Sequence, residues 1–185
     1  DRLARKRGRG LEFADHRQYS AGDDFRHIDW KAFQRLNRLL LRLFDEEQDL
    51  PIYLFLDASR SMIEPAKFDQ ARRVIAGLCY IGLAHLDRVT ILPFGAGLHD
   101  ETVPGRGKGR IFRVFDMLEQ METTGDTNLR GAFTQFASRT RQSGLAVVVS
   151  DFLDPNGFEN GLKLLASMGH DVFVVQIASQ ADRDP

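Results

Sequence analysis

Cysteine is nearly missing from this chain. Its 185 residues hold one, Cys79, so no internal disulfide can form, and that usage suits a reducing, cytoplasmic compartment. Long apolar runs are missing too. A membrane span needs about 18 consecutive apolar residues, and the longest candidate, Val74 to Ala84, falls short and contains Gly77 and Gly82. No secretory signal is read, but the chain begins at Asp1 rather than Met and reads as a piece of a longer one, so absent segments carry little weight. An excess of one charge sign is also absent. The 25 Lys and Arg stand against 26 Asp and Glu, a net charge of -1, which disfavours nucleic-acid binding by bulk charge. There is no internal repeat and no low-complexity stretch. His16, His27, His85, His99 and His170 never fall into zinc-ligand spacing.

What is present is ordinary for a soluble globular protein: 43% hydrophobic and 28% charged residues. The length fits one domain with a short extra lobe. Residues 1–10 form a basic tail with Arg2, Arg5, Lys6, Arg7 and Arg9. Residues 11–49 are dense in charge and aromatics and read as a separate N-terminal lobe. Residues 50–178 alternate strand and helix patterns, and 179–185 form a polar tail.

That alternation is legible in detail. Pro51 to Leu56 is a short apolar run, as in a buried parallel strand. Pro65 stands where a helix would begin; Phe68, Ala71, Ile75 and Leu78 then share a face, and residues 74–84 are apolar nearly all round, which predicts a well-buried helix. Arg88 to Phe94 reads as a strand, Gly95-Ala96-Gly97 as a turn, and Leu98 to Val103 as a weaker edge strand. Helical spacing returns at Ile111, Val114, Phe115, Leu118 and Met121, and again from Leu129 to Ala137 with Gly144 as the stop. Leu145 to Ser150 is a β-branched run, Asp154-Pro155 reads as a cap and first turn, and Asp171 to Ile177 as a last strand. The expected fold is therefore α/β: a doubly wound, mostly parallel sheet with helices on both faces. In such sheets ligands bind beyond the carboxyl ends of the strands.

Chemistry-bearing residues cluster at those ends. Asp57-Ala58-Ser59-Arg60-Ser61 follows one strand, Asp151 follows another, and Thr127 lies in the loop Gly125-Asp126-Thr127-Asn128 that opens a helix. Converging, they supply two carboxylates, Asp57 and Asp151, and three hydroxyls, Ser59, Ser61 and Thr127. An all-oxygen set of this kind suits octahedral Mg²⁺, or Mn²⁺, and not zinc. The bland alternative is that Ser59 and Ser61 cap the next helix and Asp151 caps a loop.

Asp57-x-Ser59-x-Ser61 with Thr127 and Asp151 resembles the metal-ion-dependent adhesion site of von Willebrand factor type A domains. The resemblance implies Mg²⁺ at these five residues and capture of an acidic residue from a protein ligand. The run Arg17 to Trp30, followed by Leu41-Arg42-Leu43-Phe44-Asp45-Glu46-Glu47, is similar to the bacterial domain of unknown function family 58, over about residues 8 to 178. That resemblance implies a type A-like fold with an added N-terminal lobe and association with a MoxR-type AAA+ ATPase or its client. Membrane contact is expected only if helices precede the covered chain. One departure stands out: Asp151 is followed by Phe152, where type A domains often have glycine.

Competing readings are weaker. Asp23, Asp24, Arg26, Asp29 and Trp30 read either as a partner-docking surface or as a local network, with Arg26 paired to Asp29 and Trp30 packed on the sheet. Gly105 to Arg110 lacks the frame of a phosphate-binding loop, since Gly109 follows Lys108. A metal-dependent hydrolase or phosphotransferase using Asp57 as nucleophile is the enzymatic alternative, but no general base has a defined place. The sequence therefore favours a non-enzymatic interaction module.

Overall fold

A computed structural model describes residues 12–45, 51–100, 107–179 and 182. The chain divides into two units, Asp1–Gln48 and Asp49–Pro185.

In the first unit, β1 (Glu12–Gln18) pairs antiparallel with β2 (Leu40–Asp45), with Arg17 opposite Leu41. Between them runs α1 (Trp30–Leu36). Its start is fixed by Asp29, whose carboxylate accepts from the amides of Lys31 and Ala32, each at 3.0 Å, so two of the donors that a helix start leaves unpaired are satisfied. Sequence patterning assigned no strands here. It also mispaired Arg26. The guanidinium reaches back to Asp24 at 2.8 Å, two residues away, while Asp29 meets His16 Nε2 at 3.0 Å. Asp23 is held by Arg17 at 2.8 Å and accepts from the Ser20 amide. Trp30 is not packed on a sheet: it is 58% exposed and stands edge-on to Phe33.

The second unit is a four-stranded parallel sheet in the order β4-β3-β5-β6. The strands are β3 (Ile52–Asp57), β4 (Val89–Phe94), β5 (Leu145–Ser150) and β6 (Asp171–Gln176). The chain crosses from β3 to β4 through α2 (Pro65–Ala84) and from β5 to β6 through α5 (Glu159–Ser167). These crossovers run in opposite directions along the sheet. Right-handed connections then put the two helices on opposite faces. The β4–β5 connection adds one helix to each face, α3 (Ile111–Gln120) beside α2 and α4 (Leu129–Arg139) beside α5.

Period-two alternation in β3 splits the core accordingly. Leu54 and Leu56 face a cluster with Ile75, Leu83, Val114 and Leu118. Tyr53 and Phe55 face the other, with Phe94, Phe133, Phe136 and Leu165. The apolar stretch in α2 is less buried than its composition predicts. Ile75, Cys79 and Leu83 are fully covered, but Tyr80 and Ile81 are about half exposed, at 45% and 55%, so the helix presents one face to the sheet. Beyond β4, among the described residues, Leu98 makes an isolated antiparallel bridge to Phe94; residues 101–103 of the expected edge strand lie outside the described residues.

Two local expectations change reason. Gly144 does not stop α4, which ends at Arg139 with Thr140 as its cap. A Cβ at position 144 would stand 2.2 Å from the Pro51 carbonyl oxygen, the atom that accepts from the Leu145 amide; glycine is needed for that close approach. Asp154 does not cap its own helix, which begins at Glu159. Its carboxylate accepts from the amide of Leu129 at 2.8 Å and so caps α4 from across the fold.

Among the described residues no helix is long and apolar enough to cross a membrane. Cys79 is buried, and burial pushes its thiol up to about 11, so roughly one in a thousand is thiolate at pH 8. Iodoacetamide at pH 8 is expected to leave Cys79 unmodified in the native chain and to alkylate it once unfolded in guanidinium. Labelling at equal rates in both states, read by mass spectrometry, would contradict its place in the core.

Candidate metal-binding site

The strand order reverses where β3 lies between β4 and β5, and the loops leaving β3 and β5 open at that point. Asp57 is the last residue of β3. The chain then turns through Ala58 and Ser59 into a single 3-10 turn, Arg60–Met62, pinned by the fully buried side chains of Ala58 and Met62. The loop before α4 is tied to it by backbone hydrogen bonds: Thr124 N donates to Ala58 O at 2.8 Å and Arg60 N to Gly125 O at 2.9 Å. Gly125 is left-handed, with φ of 71°. Asn128, not Thr127, caps α4 by accepting from the Gly131 amide. Thr127 is thereby freed to face the serines.

The three hydroxyl oxygens form a triangle. Ser59 Oγ lies 3.0 Å from Ser61 Oγ, Ser61 Oγ lies 3.3 Å from Thr127 Oγ1, and Thr127 Oγ1 lies 2.7 Å from Ser59 Oγ. Ser61 Oγ also donates to Asp151 Oδ1 at 3.1 Å. In an octahedron with metal–oxygen bonds of about 2.0–2.1 Å, neighbouring ligands stand about 2.8–3.0 Å apart. The spacing of these oxygens therefore suits one face of a small-cation coordination shell. Among the described residues no group of three or more His, Cys, Asp or Glu is arranged to hold a metal; this set is different in kind, hydroxyl-rich with two carboxylates.

Those carboxylates differ. Asp57 is fully buried. Its Oδ1 accepts from the Ser59 amide at 2.9 Å and its Oδ2 from Ser150 Oγ at 2.5 Å. Burial pushes its carboxyl above the ordinary value, hydrogen bonds from Ser150 and Ser59 pull it back, and the charge of Asp151 adds to the rise. Asp151 is 2% exposed, and its Oδ1 also accepts from the Leu153 amide at 3.0 Å. Its Oδ2 lies 2.8 Å from Lys67 Nζ, an ion pair between two buried side chains.

The turn after β5 carries a deviation that the sequence foreshadowed. Phe152 adopts φ of 61°, the left-handed region that glycine enters freely and other residues enter at about 1–2 kcal/mol. Its amide donates to Ser150 Oγ at 2.9 Å and its ring stacks edge-on against Phe158, two contacts that hold it there. Two residues past Ser61, Ile63 is 66% exposed; two past Asp151, Leu153 is 53% exposed.

The structure thus brings Ser59, Ser61, Thr127 and Asp151 into one hydrogen-bonded group, with Asp57 joined through the Ser59 amide. Asp23, Asp24, Arg26, Asp29 and Trp30 belong to the N-terminal unit and take the local roles described above. Sequence reading missed Ser150 and Lys67. Ser150 is the last residue of an apolar strand, and a polar residue there, next to Asp151, was a usable signal. Lys67 stands in the first turn of α2, where a cation opposes the helix dipole by about 0.3–1 kcal/mol; that misfit was the other signal.

Residues 15–184 match the family described as "Protein of unknown function DUF58". An uncharacterised protein of Mycobacterium tuberculosis and one of Mycobacterium bovis are each 26% identical over 192 residues, covering 98% of this chain and 59% of theirs. The chain thus spans about three-fifths of the length of these relatives. Among solved structures it is similar to the conserved hypothetical protein BatB of Bacteroides thetaiotaomicron, with a TM-score of 0.54 and 23% identity over 69% of this chain and 66% of that one. It is also similar to the manganese-loaded TRAP protein of Plasmodium vivax, with a TM-score of 0.53 and 17% identity over 73% of this chain and 61% of that one. At such identities these likenesses establish the fold, which is von Willebrand type A-like.

Proposed function

Because the chain belongs to the DUF58 family, we propose that it works as a protein-interaction module whose grip depends on a divalent cation. Ser59, Ser61, Thr127 and Asp151, backed by Asp57, would hold one Mg²⁺ or Mn²⁺. The observation that carries this reading is the triangle of hydroxyl oxygens at 2.7–3.3 Å, closed by Asp151 Oδ1. When bound, the ion supplies a Lewis-acidic position that accepts a carboxylate from an acidic residue of a partner. The protein's own residues fix the donors, exclude water beneath them through Ala58 and Met62, and offer exposed Ile63 and Leu153 on the same loops as apolar contacts.

The enzymatic alternative fares worse. As a nucleophile Asp57 would need an oxygen free to attack, and it is fully buried with both oxygens accepting hydrogen bonds. The partner to test first is a MoxR-type AAA+ ATPase or its client, on the family resemblance. Immobilised wild-type chain is expected to retain that ATPase in Mg²⁺ and release it in EDTA, while Asp57→Ala retains it in neither. Retention indifferent to chelator would overturn the cation-dependent grip.

A further inference from the structure

We propose that Lys67 sets the charge of the metal site, weakening its hold on the cation and leaving the loaded site one unit more positive toward an incoming carboxylate. This rests on the metal reading above.

The lysine is in a costly place. Its side chain is 3% exposed, and lysine is almost never buried unless paired. It lies in the first turn of α2, against the helix dipole. Four oxygens face its Nζ: Asp151 Oδ2 at 2.8 Å, Asp182 Oδ2 at 3.0 Å, the Ser61 carbonyl at 3.1 Å and Asp182 Oδ1 at 3.3 Å. Two of the four belong to residues of the candidate ligand set. Two carboxylates and a carbonyl closing on the ammonium compensate its burial and keep it charged.

The consequence follows from charge. Asp57 and Asp151 bring two negative charges to the donors. Asp182 adds a third negative charge beside the ammonium, so with Lys67 the cluster stands at net minus two and a divalent cation brings it to neutral. Without the lysine the loaded cluster keeps one negative charge and repels a carboxylate. The same cation that weakens metal binding thus strengthens ligand capture.

Asp182 adjusts the balance. It accepts from the Ser179 amide at 2.8 Å, so it belongs to the segment following β6, and it takes a share of the ammonium. Neutralising Asp182 moves that share onto Asp151. Removing the charge of Lys67 does the reverse. The two changes must therefore shift cation affinity in opposite directions, whereas residues that merely brace the fold would both lower it.

The test is calorimetric titration of the whole chain with Mn²⁺ and with Mg²⁺, for wild type, Lys67→Met, Lys67→Arg and Asp182→Asn. Circular dichroism checks that each is folded. Acetate is then titrated onto the Mn²⁺-loaded chains, with displacement of bound water read by proton relaxation. Lys67→Met is expected to bind the cation about tenfold tighter and acetate correspondingly weaker, the scale of one unit charge beside a divalent ion. Asp182→Asn is expected to bind the cation several-fold more weakly, and Lys67→Arg to match wild type. If Lys67→Met does not fold, Asp182→Asn and Lys67→Arg decide the question. Loss of cation affinity in both Lys67→Met and Asp182→Asn, or no change in either, overturns the proposal while leaving the metal reading intact. A wild-type chain that takes up neither ion removes both.

Discussion

The Asp57→Asn chain is expected to melt at the same temperature in Mg²⁺ as in chelator, and in chelator to melt above wild type. Both halves follow from one buried group. A cation at a hundred times its dissociation constant stabilises by about 2.7 kcal/mol, which for a chain of this size is a rise of roughly 5–10 °C in wild type. Asparagine keeps the size of the side chain and an oxygen for the Ser59 amide, so the turn after β3 survives. What it removes is a charge that burial already disfavours and that Asp151 repels. Without the cation that charge is a liability, so its removal stabilises; with the cation its removal costs binding. Melts across 0–10 mM Mg²⁺ with EDTA controls give the answer. A variant that still gains the wild-type increment would show that Asp57 takes no part.

The largest loss of stability is expected at Phe133. Its ring is fully buried on α4. It meets Phe55 edge-on at 5.0 Å and Phe94 at 5.8 Å, and Gly161 of α5 approaches so closely that a Cβ there would stand 3.0 Å from the ring. Phe133→Ala is expected to lower unfolding free energy by about 3–5 kcal/mol, measured by guanidinium denaturation. Phe112 on α3 is 70% exposed, and Phe112→Ala is expected to change stability by less than about 0.5 kcal/mol. A cost at Phe133 no larger than at Phe112 would mean that the aromatic layer does not hold α4 and α5 to the sheet.

Where periodicity and covalent chemistry decide, the sequence was legible. Leu145 to Ser150 is β-branched and bounded by Gly144, and it is the strand expected. The alternation from Pro51 onward yields the α/β sheet, and Asp57, Ser59, Ser61, Thr127 and Asp151 fall at one end of it. Readings failed where local pattern leaves a choice open: between partners near and far along the chain, or between the faces of a helix. Asp154 looks like a cap for the helix beside it and instead caps Leu129. Tyr80 and Ile81 look like core and face outward, because hydropathy does not say which side of a helix meets a sheet. Arg26 had acids on both sides, and the nearer one, Asp24, took it. Lys67 was passed over because its partners, Asp151 and Asp182, come from elements distant in sequence.

The two backbone bonds that lace the loop after β3 to the loop before α4 have a consequence for tempo. Thr124 to Ala58 and Arg60 to Gly125 fix the hydroxyl triangle when the domain folds, so its ordering entropy is spent then and not at each encounter with a ligand. A cation entering as proposed above would meet donors already in place, so its arrival would be timed by how fast water leaves the ion and not by a rearrangement of these loops.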